Sequence, residues 1–149
     1  MTTATRGILV EALSHVADPT GELKRQVIYE QEPETASNSF DGFPYAYLGD
    51  YGVTTERETM NGNVNTLTTT ATIVIDSVAD SAKKKRQHDE LGDEIFSVFK
   101  HNERLELGEE AKATDIEIEN DSRNTTLVQS GKEVIRRQIS ISYSMLVAL

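Results

Sequence analysis

The pair Asn61-Gly62 lies between two long stretches rich in Thr, Val and Ile, and it limits the fold more than any other feature of the chain. Asn-Gly is the strongest short signal for a two-residue hairpin turn, because both positions of that turn need positive φ. We therefore predict a long antiparallel hairpin with strands at residues 53–60 and 64–76. In the second strand, the odd positions from Leu67 to Ile75 predict a packed face, and the mostly Thr even positions predict a face in water.

Periodic apolar residues predict the remaining elements. The predicted helices cover residues 4–16 and 77–101, and the further predicted strands cover residues 25–30, 114–120 and 133–149. The polar run Asp121-Ser122-Arg123-Asn124 predicts a turn. For the last strand, whose end is apolar, we favour a buried central position over an edge. The order indicates an α+β fold: an antiparallel or mixed sheet with a long hairpin, helices packed on one face, and a single domain of 149 residues.

The chain is acidic, with 25 acidic against 15 basic residues and a net charge of −10. This balance argues against a nucleic-acid-binding protein, which needs clustered Lys and Arg. One basic run, Lys83-Lys84-Lys85-Arg86, is followed by acidic residues at helical spacing. We interpret it as a solvated helix face, with a DNA contact as the less favoured alternative.

No set of residues has the spacing of a catalytic or metal site. His15, His88 and His101 are scattered and are expected to be exposed, and His88 lacks the second His that a zinc-binding helix needs. No Ser stands in the context of an activated nucleophile, and no Gly-rich loop matches a phosphate-binding fingerprint. The chain has no Cys. We therefore expect no enzymatic activity, no cofactor and no metal; a small acidic hydrolase or a ligand-binding module is the remote alternative.

Residues 1–19 resemble neither a signal peptide nor an anchor, so we expect a soluble protein made in the cytoplasm. The polar segment 31–42 predicts a loop that is mobile before a partner binds.

The stretch FPYAYLGDYG, residues 43–52, contains four of the nine aromatic residues of the chain. Pro44 fixes φ between two large rings, and glycines allow tight backbone turns. We predict a rigid segment leading into a strand, with its rings packed against the sheet or against a neighbouring chain. A core-packing corner is the simpler interpretation, and a subunit contact is the functional one. The signature residues are Phe43, Pro44, Tyr45, Tyr47 and Gly49.

With its short N-terminal helix, its polar loop, the FPYAYLG segment, the hairpin, the helix 83–100 and the long strand 134–147, the chain resembles the tail terminator (tail-completion) proteins of tailed bacteriophages. The resemblance implies a structural protein without catalytic residues. Such proteins form a hexameric ring on the completed tail tube, stop its polymerisation and present a surface for head joining.

The resemblance also implies partners and a location. The partners would be other copies of the chain, the tail tube protein, a head-closure or neck protein, and the sheath protein if the tail is contractile. DNA would pass through the ring without specific binding, and no membrane would be involved. The protein would be assembled in the host cytoplasm and would lie at the tail–neck region of the virion.

Two related roles stay open, namely a head-closure or neck connector and a minor tail protein. For the contact between subunits we propose the mixed-charge helix face formed by Lys84, Arg86, Asp89 and Asp93, since ring neighbours often meet through complementary charge.

Overall fold

A computed structural model describes most of the chain. The described residues are 9, 10, 13, 14, 16, 27–36, 42–57, 64–78, 80–101, 104–106, 112–129 and 131–148. They form six strands and one long helix, and residues 9, 10, 13, 14 and 16 are helical as predicted. In chain order, the elements are β1 (Ile28–Tyr29), β2 (Tyr45–Arg57), β3 (Val64–Val78), α1 (Ala82–His101), β4 (Arg104–Glu106), β5 (Lys112–Leu127) and β6 (Glu133–Ala148).

The strands make one mixed sheet in the order β1-β2-β3-β6-β5-β4. Only β1 and β2 pair in parallel; the other neighbours are antiparallel. This arrangement confirms the predicted α+β class. β2 and β3 form the predicted hairpin, with Arg57 opposite Asn65, whereas the turn residues Asn61-Gly62 lie outside the described residues. β6 lies between β3 and β5, which confirms the central position expected for the last strand.

Helix α1 packs on one face of this sheet, as predicted. Its apolar stripe, formed by Leu91, Ile95, Val98 and Phe99, meets odd positions of β3 and β6. The N-terminal helical residues Leu9, Val10 and Leu13 join the same core. The sheet residues of this core are Ala46, Leu48, Ala71, Ile73, Ile75, Ile139, Ile141 and Tyr143. No described helix is long and apolar enough to span a membrane.

The opposite face carries a second apolar cluster at the end of the sheet where β3 finishes. Its buried members are Phe43, Tyr45, Tyr47, Val74, Val78, Val128 and Val134. The prediction that the even positions of the hairpin strand stay wet is therefore wrong beyond Thr72, because Val74, Asp76 and Val78 are all buried.

Two predicted boundaries also need correction. Residues 121–124 are not a turn but lie within β5, paired with β6. The turn between these strands comes later and includes Gly131, whose φ of 82° favours glycine. Helix α1 begins five residues later than predicted, at Ala82 instead of Ser77, because Ser77 is the buried penultimate residue of β3.

Ser81 sets the start of α1. Its hydroxyl accepts a hydrogen bond from the backbone N–H of Lys84 at 3.4 Å, which is the usual N-cap contact. Ser77 adds a second tie, since its hydroxyl donates to the carbonyl oxygen of Lys84 at 3.3 Å.

The predicted loop 31–42 is only partly described. Pro33 and Thr35 are buried, and Glu32 and Glu34, which alternate with them along the chain, are exposed. The N–H of Thr35 donates to Oε1 of Gln129 at 3.3 Å. Residues 37–41 lie outside the described residues, so the mobility of the loop stays a prediction.

Candidate functional site

The FPYAYLG segment packs against its own sheet. Phe43, Pro44, Tyr45 and Tyr47 are buried, and the strand begins at Tyr45 instead of after the motif. Ring centroids lie 5.4 Å apart for Phe43–Tyr45 and 6.0 Å apart for Tyr45–Tyr47. Tyr29 of β1 meets Tyr45 edge to face at 6.2 Å. The motif therefore builds an aromatic cluster, which matches the simpler of its two interpretations.

Gly49 lies in the irregular part of β2 between Leu48 and Tyr51. A Cβ on Gly49 would stand 3.2 Å from Cγ2 of Val74. A side chain at this position would require the Val74 side chain to move by a few tenths of an ångström.

A buried ion pair lies under this aromatic cluster. Asp76 is fully buried, and it faces Arg136 directly across β3 and β6. Arg136 donates from Nε to Oδ1 at 2.9 Å and from Nη2 to Oδ2 at 3.0 Å. The hydroxyl of Tyr45 donates to the same carboxylate at 2.9 Å. These three hydrogen bonds make Asp76 an anchor that joins β3 to β6 and to β2.

The same environment raises the pKa values of the neighbouring tyrosines. Burial, and then the charge of Asp76, raise the pKa of Tyr45 far above its usual range. Burial also raises the pKa of Tyr47 to about 12, with Asp76 adding to the effect. Both tyrosines therefore stay protonated at physiological pH.

A second charged group holds α1 to the sheet. Arg137 is almost fully buried, and it donates to both carboxylate oxygens of Asp121 at 2.9 and 2.8 Å and to Asp93 at 2.9 Å. These hydrogen bonds lower the pKa of Asp121. The guanidinium also lies 5.8 Å from the ring of Phe96. It crosses the helix at Gly92, where a Cβ would stand 2.6 Å from Nη1.

His88 is buried, contrary to the expectation of exposure. Its Nε2 lies 3.1 Å from the carbonyl oxygen of Ile75 and so carries the proton of that hydrogen bond. Nδ1 has no hydrogen-bond partner among the described residues, and Oδ1 of Asp89 is 3.6 Å away. His88 thus helps to join α1 to β3.

The four residues proposed for subunit contact do not share one helix face. At 100° per residue, Lys84 lies on the side of α1 that carries Leu91 and Ile95, whereas Arg86, Asp89 and Asp93 lie on the far side. Both acids are engaged within the chain: Asp93 with Arg137 at 2.9 Å, and Asp89 with Arg123 at 3.3 Å. Lys84 lines a groove, and Arg86 is exposed. Their role in subunit contact stays a prediction.

The groove lies at the end of the sheet where α1 begins, and its volume is about 700 Å³. Phe43 and Val78 provide apolar surface, and Lys84 and Lys132 provide positive charge. Its lining residues are Phe43, Val78, Asp80, Ser81, Lys84, Lys132 and Glu133. Nζ of Lys132 lies 5.9 Å from the ring centroid of Phe43.

Leu127 lies at the same end of the sheet, on the face opposite to Val78. It pairs with Glu133 across β5 and β6, so the two residues point to the same side of the sheet. Leu127 is 67% exposed, and among the described residues it is the one large apolar side chain that is exposed.

An acidic depression of about 470 Å³ lies on the other side of the β5–β6 turn. Glu30, Glu32 and Glu34 line it together with Gln129. Oε1 of Glu32 is 3.9 Å from Nη2 of Arg136. Within the described ranges, no group of three His, Asp or Glu side chains is arranged to hold a metal ion.

Both outer edges of the sheet are partly open in the described part of the chain. On one side, β1 covers β2 only at Ala46 and Tyr47, so residues 49–57 have no outer partner there. On the other side, β4 covers β5 only from Lys112 to Thr114, so residues 115–127 have none. The strand register places Gly52 of β2 level with Glu117 of β5, by way of Thr70 and Ser142. From this level, the open part of β2 extends mainly toward Arg57, and the open part of β5 extends in the opposite direction toward Leu127. The two open stretches therefore lie at diagonally opposite ends of the sheet.

Sequence reasoning identified the aromatic motif but missed Asp76, Arg136, Arg137 and Lys132. A signal for the first three was present. A lone Asp in the apolar run TIVID and an Arg pair in the last strand are charges in strands that otherwise look buried, and such charges need partners.

Comparison with protein-family models gives no match, and comparison with curated proteins gives none either.

Proposed function

We propose that this chain is a structural assembly protein that forms a ring on the completed tail tube of a bacteriophage. The ring stops tube polymerisation and provides the surface to which the head is joined. This is the role of the tail terminator proteins that the sequence resembles. The observation that carries the proposal is the pair of open sheet edges at diagonally opposite ends of the sheet.

Open edges pair readily with other strands, and single-chain proteins usually block them. Among the described residues, each edge is blocked over only part of its length, by β1 on β2 and by β4 on β5. The open part of β2 runs antiparallel to the open part of β5, so β2 of one copy fits β5 of the next in the same orientation. Such a contact joins two different surfaces, and it closes into a ring when the rotation between copies allows it.

The diagonal placement of the edges imposes a stagger between neighbouring copies. The midpoints of the two open stretches differ by about four or five residues, which is roughly 15 Å along a strand. A stagger of this kind is what a sheet needs in order to close into a barrel-like ring.

The polar chemistry of the described residues also favours a structural role. Asp76 and Asp121 are bound by arginines, and the buried tyrosines keep their protons. The negative charge of the chain also suits a channel for DNA, because six copies with a net charge of −10 each carry −60. Like charge discourages DNA from adhering as it passes.

In this proposal, the chain contacts further copies of itself, the tail tube protein and a head-closure or neck protein, with the sheath protein added in a contractile tail. Its place is the tail–neck region of the virion.

Co-sedimentation with purified tail tubes, followed by electron microscopy of tube ends, tests the function. We expect a ring on one end of each tube and no further growth when tube subunits are added. Binding to portal or capsid but not to tubes would replace the terminator role with that of a neck connector. Binding to neither would remove the assembly role altogether.

A further inference from the structure

Each open strand carries an irregularity between its covered part and its free end. In β2 the pairing with β3 shifts between Leu48 and Tyr51. In β5 the pairing with β6 shifts twice, the second time between Ile118 and Asn120. Such β-bulges bend an edge strand and interrupt its pairing. The regular parts of the two open edges are residues 51–57 of β2 and residues 121–127 of β5.

Both regular stretches are accessible to another strand in the described part of the chain. Residues 122–125 of β5 are all exposed, and they alternate between the two faces of the sheet, so the described residues cover neither face there. The outer edge of β5 is covered only up to Thr114. In β2, Gly52 is exposed as well, and β1 covers that strand only up to Tyr47.

The faces of the sheet restrict how two copies pair. In β2, odd positions from Tyr51 onward share a face with Ala71, and in β5 odd positions from Asp121 onward share that face with Ile139. Both Ala71 and Ile139 belong to the core under α1. Copies related by rotation in a ring keep this face on the same side, so odd positions come opposite odd positions. Only every second register satisfies this condition, because a slip of one residue exchanges the faces.

One of these registers pairs both stretches over their full length of seven residues. It sets Thr54, the centre of one stretch, opposite Asn124, the centre of the other. The outward N–H and C=O groups also come opposite one another, because the ladders from β2 to β5 leave positions of the same parity pointing outward on both edges. The pairing supplies about six to eight backbone hydrogen bonds.

The ends of the paired stretch favour the same register. The tyrosine at position 51 comes opposite Leu127, whose side chain is 67% exposed within one copy, and the contact removes apolar surface from water. A shift by two residues in one direction would set Arg57 opposite Arg123, and like charges directly opposite each other destabilise a sheet. A shift by two in the other direction would carry Arg57 past Asn120 into the bulge of β5.

The outer strands β1 and β4 leave room for this contact. β1 ends level with Tyr47, four positions before the regular part of β2 begins. β4 reaches Thr114, seven positions before the regular part of β5 begins. In the assembled sheet, β1 lies in line with β5 of one neighbour, and β4 lies in line with β2 of the other. Each short strand therefore marks one end of the contact.

The register also defines the displacement between neighbours. Within one chain, Asn124 is level with Tyr45, whose partner in β3 is Asp76. In the next copy it comes opposite Thr54, whose partner in β3 is Thr68. The displacement is therefore the eight positions from Asp76 to Thr68, which is roughly 26 Å along a strand. It exceeds the offset between the midpoints of the open stretches, because the bulged ends stay unpaired.

We propose that residues 51–57 of one copy pair with residues 121–127 of the next in this single register, and that the bulges of β2 and β5 are the stops that fix it. The occupant of each edge is a second copy of this chain, and the contact rests on the proposed ring. Bulges usually protect an edge from pairing. Here they confine the pairing to the regular part of each edge and prevent it from slipping.

Disulfide scanning reads the register directly, because the chain has no Cys of its own. Thr54→Cys protein is mixed at high concentration with Ser122→Cys, Asn124→Cys or Thr126→Cys protein and oxidised mildly, with and without purified tail tubes. Positions two apart differ by about 7 Å along a strand, which is more than a disulfide tolerates. We expect Asn124→Cys to give at least about fivefold more heterodimer than either of the other two.

The disulfides of this scan form only between chains. Thr54 is level with Thr114 across three ladders, so residues 54 and 124 of one chain are too far apart to react. The matched control is Ser97→Cys, an exposed position on α1, which should give only background with Thr54→Cys. A maximum at position 122 or 126, equal yields at all three positions, or no heterodimer under either condition would overturn the proposed register.

Deleting Glu119 tests the role of the bulge. Glu119 is the extra residue of β5, since its neighbours Ile118 and Asn120 pair with adjacent residues of β6. Without this stop, the disulfide between positions 54 and 122 is expected to increase by about threefold or more. Far-UV circular dichroism checks that the variant is folded. An unchanged distribution of disulfides in the folded variant would show that the bulge does not set the register, and the scan in the parent strand does not depend on this variant.

Failure of the register and failure of the function give different results. A disulfide specific to Asn124→Cys, in rings that ignore tail tubes, would support the register and refute the terminator role. Capped tubes whose rings form the three disulfides equally would do the opposite.

Discussion

Asp76 shows how a single carboxylate can hold a sheet face together. It is fully buried, and its oxygens accept hydrogen bonds from Arg136 and Tyr45 at 2.9–3.0 Å. Removing one member of a buried ion pair typically costs about 3–5 kcal/mol, because the remaining charge loses its partner. We expect Asp76→Asn to lower the free energy of unfolding by about 3 kcal/mol, measured in urea.

The matched control for this change is Asp80→Asn, four residues along at an exposed position. Its expected effect is within about 0.5 kcal/mol, as for most surface substitutions. If Asp76→Asn lowered the free energy of unfolding as little as Asp80→Asn does, Arg136 would have to find other partners in the variant.

Tyr47 predicts how stability depends on alkaline pH. Burial raises its pKa from 10.0 to about 12 in the folded chain. Above pH 10 the unfolded chain loses the phenolic proton while the folded chain keeps it, so stability falls as pH rises from 10 to 12. The expected loss over that range is about 2–3 kcal/mol.

Urea unfolding at several pH values between 8 and 11.5 measures this dependence. Tyr47→Phe should make the decline above pH 10 shallower, since the variant has no phenol to ionise at this position. An unchanged slope in the variant would assign the alkaline loss to other groups, of which Tyr45 is the nearest.

At the scale of elements, Arg137 is the tie between α1 and the sheet. Glycine in a helix costs about 1 kcal/mol relative to Ala, so Gly92→Ala would normally stabilise α1. Here a Cβ would meet Nη1 and Cδ of Arg137 at 2.6 and 3.1 Å, and the guanidinium would have to leave Asp93. We therefore expect Gly92→Ala to destabilise the protein.

A double-mutant cycle in urea separates the two effects. In an Arg137→Met background the flexible thioether can move aside, and Gly92→Ala should become neutral or stabilising by up to about 1 kcal/mol. The same destabilisation in both backgrounds would mean that the helix backbone, and not Arg137, needs glycine at position 92.

The type of each element was predictable from the sequence. The residues at which the elements end, and their contacts with distant parts of the chain, were harder to predict. The stripe Leu91–Ile95 and the alternation of the last strand are strong periodic signals, and both elements were predicted. Residues 121–124 were misread because Asp, Ser and Asn favour turns in general. In β5 they are tolerated, since the strand is exposed and Asp121 is bound to Arg137, 16 residues away. Such a long-range partner leaves no local trace.

The candidate contact surfaces show the same limit. The basic run at the start of α1 was visible in the sequence, but its mixed charges were treated as one helix face. Periodicity alone separates Lys84 from Arg86, Asp89 and Asp93. It could not show that Lys132, 48 residues later, lines the same groove as Lys84, because that depends on how the β5–β6 turn meets the helix.

For the molecule as a whole, the open edge of β5 makes the sharpest prediction. Proline removes a backbone donor, and donors in an antiparallel strand alternate between the two sides. Of the neighbouring exposed residues Asn124 and Thr125, one therefore donates toward β6 and the other toward the open edge. Proline at the residue that donates toward β6 should break the β5–β6 ladder and lower the free energy of unfolding by about 3 kcal/mol or more.

Proline at the residue that points to the open edge is expected to be tolerated, because its N–H has no partner in the part of the chain that the structure describes. That variant should keep the unfolding free energy within about 1 kcal/mol of the parent and yet fail to form rings, since it blocks the incoming β2 of the next copy. Urea unfolding identifies which variant is which, and electron microscopy of tube ends counts the rings. If the stably folded proline variant still caps tubes, copies do not meet through this edge, and the ring must be built on another surface.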